Sequence, residues 1–217
     1  MEFTEKFIAL IDILGFKNLV EQAEAGRGIS LDRLLELRNK LGERRRPTWC
    51  PQSERRQADL DFCVSQVSDS VIVSAEILPA GAINLVSHCW GLVIHLLESG
   101  IMCRGYITRG PVFHTDEHFP VGTGYHCAYE NEKCVTAFKR EANERGTPFV
   151  EVDRAVCDYV GRCGDWFVKE MFSRCVKDDG AVVALFPFKR LGHQFVIGAL
   201  DTNSIRRRKG DPIKTYE

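Results

Sequence analysis

Two apolar runs, LDFCVSQV (60–67) and SVIVSAE (70–76), are separated only by Ser68 and Asp69. Their Val, Ile and Phe content marks both as strands. Joining parallel strands takes a crossover of about a dozen residues, so a two-residue link makes this pair an antiparallel hairpin with Asp69 at its tip. A wholly parallel α/β sheet is thereby excluded.

The other segments fit around that hairpin. KFIALIDI (6–13) is a continuous apolar run, the pattern of a central strand. Gly15 follows, then FKNLVEQAEAG, an amphipathic helix ended by Gly26. Ser30 caps a second helix that begins LDRLLELRNKL and places Leu31, Leu34, Leu35, Leu37 and Leu41 on one face. Residues 44–59 mix charge, Pro and Ser and read as an exposed loop. Pro79 opens a long helix closed by Gly100, and IMCRGYITRG reads as a strand, with Gly110-Pro111 as a turn into VFH. A polar loop (114–118), a helix over about 124–145, a strand at Phe149–Val152, a short helix near 153–160 and a strand at 181–186 complete the pattern, with 164–175 unassigned. The order β-α-α-β-β-α-β predicts an α+β fold: a ferredoxin-like, mixed or antiparallel sheet with helices on one face. The 217 residues suit a single domain over 1–203, with 204–217 as a tail.

Composition narrows the function classes. With 44% hydrophobic and 27% charged residues, a sizeable core and a polar surface are both available. A formal net charge of −1 gives no reason to expect nucleic-acid or membrane-surface binding. No run of about 18 uncharged apolar residues reads as a spanning helix, and acidic residues spoil the N-terminus as a signal peptide. The nine cysteines form no CxxC pair and read as reduced thiols. A cytoplasmic location is the expectation.

Two aspartates carry the chemical argument. Asp12 ends the first strand and Asp69 sits at the hairpin tip. An unpaired buried carboxylate is costly, and two carboxylates brought together repel unless a cation neutralises them. In this strand order the hairpin tip lies beside the first strand, where the pair can hold divalent ions over a phosphate chain. In DILGFK (12–17) a carboxylate, a Gly turn and a helix start succeed one another, and the unpaired amides of that helix start suit phosphate oxygens. Singly, each aspartate also reads as ordinary cap or turn chemistry. His88 and His95 read as histidines of the long helix, His114 and His118 as members of a solvated loop, and ERRRP (43–47) and IRRRK (205–209) as solvated surface.

FIALIDILGF, the hairpin aspartate, RGYITRGPV and GTGYHCAYENEK together resemble class III nucleotide cyclases, over residues 6–145. The form with Ala128-Tyr129-x-x-Glu132 is similar to the pyrimidine cyclases of the bacterial Pycsar antiphage system. The resemblance implies a homodimer that uses two Mn or Mg ions to convert UTP to 3′,5′-cyclic UMP and pyrophosphate, the product being sensed by a separate effector protein. Cyclic CMP from CTP is the alternative product, and a catalytically inactive nucleotide sensor the alternative role. It also implies that Asp12 and Asp69 hold the metals with the carbonyl of Ile13, and that Gly15 and Phe16 line the triphosphate turn. Ser65 and Phe119 stand where adenylyl-type enzymes carry a base-reading Lys and Asp. The family's transition-state Asn and Arg fall on His126 and Glu130, which leaves Arg104 as the expected catalytic cation, with Arg109 and Lys133 as alternatives.

Overall fold

A computed structural model describes residues 2–43, 60–139 and 146–188. Along the chain come β1 (Thr4–Ile13), α1 (Phe16–Glu24), α2 (Leu31–Leu41), β2 (Phe62–Val67), β3 (Ser70–Glu76), α3 (Pro79–Glu98) and β4 (Cys103–Val112). They are followed by α4 (Thr123–Glu132), β5 (Val150–Val152), α5 (Arg154–Arg162), α6 (Trp166–Cys175), β6 (Val176–Asp178) and β7 (Val183–Leu185). The seven strands form one sheet in the order β2-β3-β1-β4-β5-β7-β6. It is mixed because β4 and β5 run parallel while every other neighbouring pair is antiparallel. The fold is α+β.

β1 is apolar throughout because both its faces are covered. Phe7, Ala9, Ile11 and Ile13 enter the main core, while Ile8 and Leu10 enter a smaller core with Ile72, Val112 and Ala128. Helices α3, α5 and α6 pack on the first face and α4 on the second. Helices on one face only, the expectation from the strand order, is therefore corrected. The reason is a backbone approach: a Cβ on Gly124 would lie 3.0 Å from the carbonyl oxygen of Gly110, so two glycines let α4 settle directly on β4.

Local signals explain most boundaries. The Ser30 hydroxyl accepts the Arg33 amide at 3.3 Å and starts α2. Only Leu34, Leu37 and Leu41 of that helix are buried; Leu31 and Leu35 face solvent. Asp153 and Asp165 cap α5 and α6, so the unassigned 164–175 is a helix. The strand after α3 does not turn at Gly110-Pro111 but continues to Val112. Helix α4 stops at Glu132, short of the expected end near 145, and β6 was not anticipated. The loop over 44–59, most of both basic runs and the tail lie outside the described residues.

Helix α3 is apolar enough to cross a membrane by length and composition, with a mean hydropathy of 1.5, contrary to the reading from sequence. It is the central core helix, 83% of that stretch being buried within the protein. Its His88 is buried edge-on against Phe62, with ring centroids 5.5 Å apart.

Candidate active site

The hairpin loop is the two residues Ser68 and Asp69, Val67 pairing with Ser70 on either side. Ser68 adopts φ 53°, and the turn delivers the Asp69 carbonyl to the Ile13 amide at 3.2 Å. The backbone thus joins the hairpin tip to the end of β1. Asp12 lies one residue before that link. It pairs with Ser70 on β3 and with Arg104 on β4, so Ser70, Asp12 and Arg104 form a row across three strands on the face that carries α4. The Ser70 hydroxyl donates to Asp12 Oδ1 at 2.5 Å.

The surroundings of Asp12 act on its protonation. Burial raises the Asp12 carboxyl above its ordinary 3.8, and the charges of Asp69 and Glu132 raise it further, against the Ser70 hydrogen bond and the Arg104 guanidinium. Three carboxylates and one guanidinium therefore share a small region. Arg104 Nε donates to Glu132 Oε1 at 2.6 Å. Glu132 is buried because the Gly124, Ala128 and Glu132 positions of α4 form the face turned to the sheet.

Of the residues expected at the site, Asp12, Ile13, Asp69 and Arg104 meet at this end of the sheet. Gly15, at φ 73°, caps α1 without a side-chain bond and places the helix start next in the chain. Phe16 packs its ring against the main core, so its amide rather than its side chain is what it can offer a phosphate. The rival cations are elsewhere. Arg109 lies on the opposite sheet face from Arg104 and contacts Glu5 at 3.4 Å. Lys133 folds over the Tyr129 ring, 4.1 Å from its centroid. His126 and Glu130, the positions aligned with the family's Asn and Arg, are exposed on α4. Sequence reasoning missed Ser70 and the role of Glu132. The available signals were the second serine of Ser-Asp-Ser and the four-residue spacing of Gly124, Ala128 and Glu132.

His114 is not the solvated residue expected from its polar loop. It is 1% exposed, with Nδ1 2.8 Å from the Ser74 hydroxyl and Nε2 2.9 Å from the Ser65 hydroxyl. Its carbonyl accepts from Lys6 Nζ at 3.0 Å, and Lys6 pairs with Asp61 at 2.7 Å. Burial, then the Lys6 charge, holds the imidazole down at about 4. An unfolded His titrates near ~6.5, so between those values the unfolded chain binds the extra proton and stability falls as pH falls. Denaturant titrations at pH 7 and pH 4.5 are expected to differ by about 2–3 kcal/mol through this group. The His114→Gln variant should be less stable at pH 7 but lose less on acidification. An undiminished pH slope in that variant would move the effect elsewhere.

Among the described residues there is no group of three or more His, Cys, Asp or Glu placed to hold a metal ion. The pair Asp12 and Asp69 fits a different kind of site, in which one or two carboxylates bind a hard cation and substrate phosphates complete its shell. In comparisons with known proteins, no family model matches the chain and no curated sequence matches it.

Proposed function

We propose that the protein is a metal-dependent pyrimidine nucleotide cyclase that converts UTP to 3′,5′-cyclic UMP and pyrophosphate. The observation that carries the reading is the convergence of Asp12 on β1, Arg104 on β4 and the hairpin-loop residue Asp69 at one end of the sheet. The order β2-β3-β1-β4 with β-α-α-β-β-α-β connectivity supports it, being compatible with the ferredoxin-like sheet that the resemblance to class III cyclases implies.

In the reaction, the ribose 3′-oxygen attacks the α-phosphorus, the bond to the bridging oxygen of the β-phosphate breaks, and pyrophosphate leaves while the hydroxyl proton passes to solvent. Asp12, Asp69 and the Ile13 carbonyl would hold two divalent ions, Mn or Mg. When bound, these supply activation of the hydroxyl and neutralisation of the phosphate charge. The chain's own residues do the rest. The amides at Gly15 and Phe16 receive phosphate oxygens at the start of α1, and Arg104 offsets negative charge developing at the α-phosphate. Ser65, bonded to His114, and Phe119, edge-on to Tyr125, stand where adenylyl-type enzymes carry base-reading charges, which counts against adenine. Exposed Met102, Phe119, Val121 and Tyr129 offer apolar surface for the homodimer, whose cyclic product would serve a separate effector in antiphage defence.

The test is incubation of the purified protein with each of the four nucleoside triphosphates and Mn, followed by separation of products. Cyclic UMP is expected. Cyclic CMP would keep the mechanism and change the base. Cyclic purine products would overturn the pyrimidine assignment. Nucleotide binding without turnover would make the protein a sensor, a role consistent with the exposed His126 and Glu130.

A further inference from the structure

Glu132 sits where a carboxylate is least welcome. It is 3% exposed, it is the last residue of α4, where the helix dipole is negative, and its charge acts on Asp12. A buried charge in that position requires a partner, and Arg104 Nε provides it at 2.6 Å. Yet Arg104 has another carboxylate within reach. It is the direct cross-strand neighbour of Asp12, and such neighbours stand about 5 Å apart at Cβ, close enough for opposite charges to pair. Among the described residues the ion pair of Arg104 is with Glu132, not with Asp12. Gly146 closes the other side: a Cβ there would lie 2.5 Å from Arg104 Nη1, and only a glycine at φ 74° leaves room for the guanidinium.

We infer that Glu132 is a positioning residue that holds the Arg104 guanidinium off Asp12, so that Asp12 stays open to a divalent cation. The inference rests on the reading of Asp12 and Asp69 as metal ligands. Among the described residues only Nε is committed, which leaves the Nη N–H donors for a phosphate oxygen. Without the Glu132 charge, the guanidinium pairs with Asp12 across the strands and competes with the metal.

The test is Mn²⁺ binding to the full chain without nucleotide, followed by the loss of the free-ion paramagnetic resonance signal, with turnover of UTP measured in parallel. Glu132→Gln should keep its thermal midpoint within a few degrees of the parent and bind Mn²⁺ about 10-fold or more weakly, the usual scale for residues that orient a ligand. Arg104→Ala combined with Glu132→Gln should recover Mn²⁺ affinity to near the parent value, since the competing cation is gone, while turnover stays low. A purely structural Glu132 predicts no such recovery. Equal Mn²⁺ affinity in Glu132→Gln and the parent, no recovery in the double variant, or no Mn²⁺ binding by the parent would each overturn the inference. A parent that binds Mn²⁺ but cyclises no nucleotide would instead sink the enzymatic reading and leave the role of Glu132 standing.

Discussion

Asp12→Ala is expected to abolish cyclic nucleotide formation, a loss of about 10³-fold or more, because metal clamping of the phosphates supplies several kcal/mol of barrier lowering. Asp69→Ala should do the same. Neither change should unfold the protein. Among the described residues the side-chain hydrogen bond to Asp12 comes from Ser70, and burial holds the Asp12 carboxyl above its ordinary value. The sign of that linkage matters. A carboxyl raised in the folded state binds more protons there than in the unfolded chain, so the stability it contributes is full below 3.8 and is lost as the pH rises through its folded value. Asp12→Asn should therefore melt at or above the parent temperature at pH 7, and the difference should vanish below 3.8. Parallel measurements of product and melting temperature check both halves. An Asp12 or Asp69 variant that cyclises nucleotide at the parent rate removes the metal assignment. The parent's rate should also fall on the acid side at a pH above the ordinary carboxylate value, since Asp12 must lose its proton to bind a cation.

The second large effect is at Arg104. Its removal should lower turnover by about 10²-fold or more, with little change in KM, if it acts on charge that develops only in the transition state. Arg104→Ala alone is a poor experiment because it strands the buried Glu132 carboxylate, a change that costs about 3–5 kcal/mol in comparable pairs. The informative comparison is Arg104→Ala with Glu132→Gln, in which the stranded charge is gone. The fold should recover in that variant and the chemistry should not. Parent-like turnover there would return the search to Lys133 and the basic runs outside the described residues, since Arg109 is on the wrong face.

What could be read from the chain was mostly what is local. The hairpin, β1 and α3 follow from runs of apolar residues with Gly, Pro or a two-residue turn at their ends, and Ser30 announced α2. The placement of Asp12 beside Asp69 follows from the strand order alone. Features that depend on distant partners were not legible. Pro111 reads as a turn, but β5 pairs with β4 only from Gly105 to Ile107, so at Pro111 that side of β4 lacks a β5 partner and a missing N–H is tolerated. His114 lies in a polar stretch, and only Ser74 and Ser65, some forty to fifty residues upstream, draw it inward. Glu132 could not be matched to Arg104 without the Gly110–Gly124 approach that sets the height of α4 above the sheet.

The bond from the Ile13 amide to the Asp69 carbonyl has a consequence for how this region can vary. It ties the hairpin tip to the end of β1 through the main chain rather than through side-chain packing. If lengthening the Ser68-Asp69 loop by one residue slid the pairing by one rung, every side chain of the slipped strand would turn to the opposite face. The interval between Val67 and Ser70 is therefore a place where an inserted residue would disturb both the pairing and the link to β1.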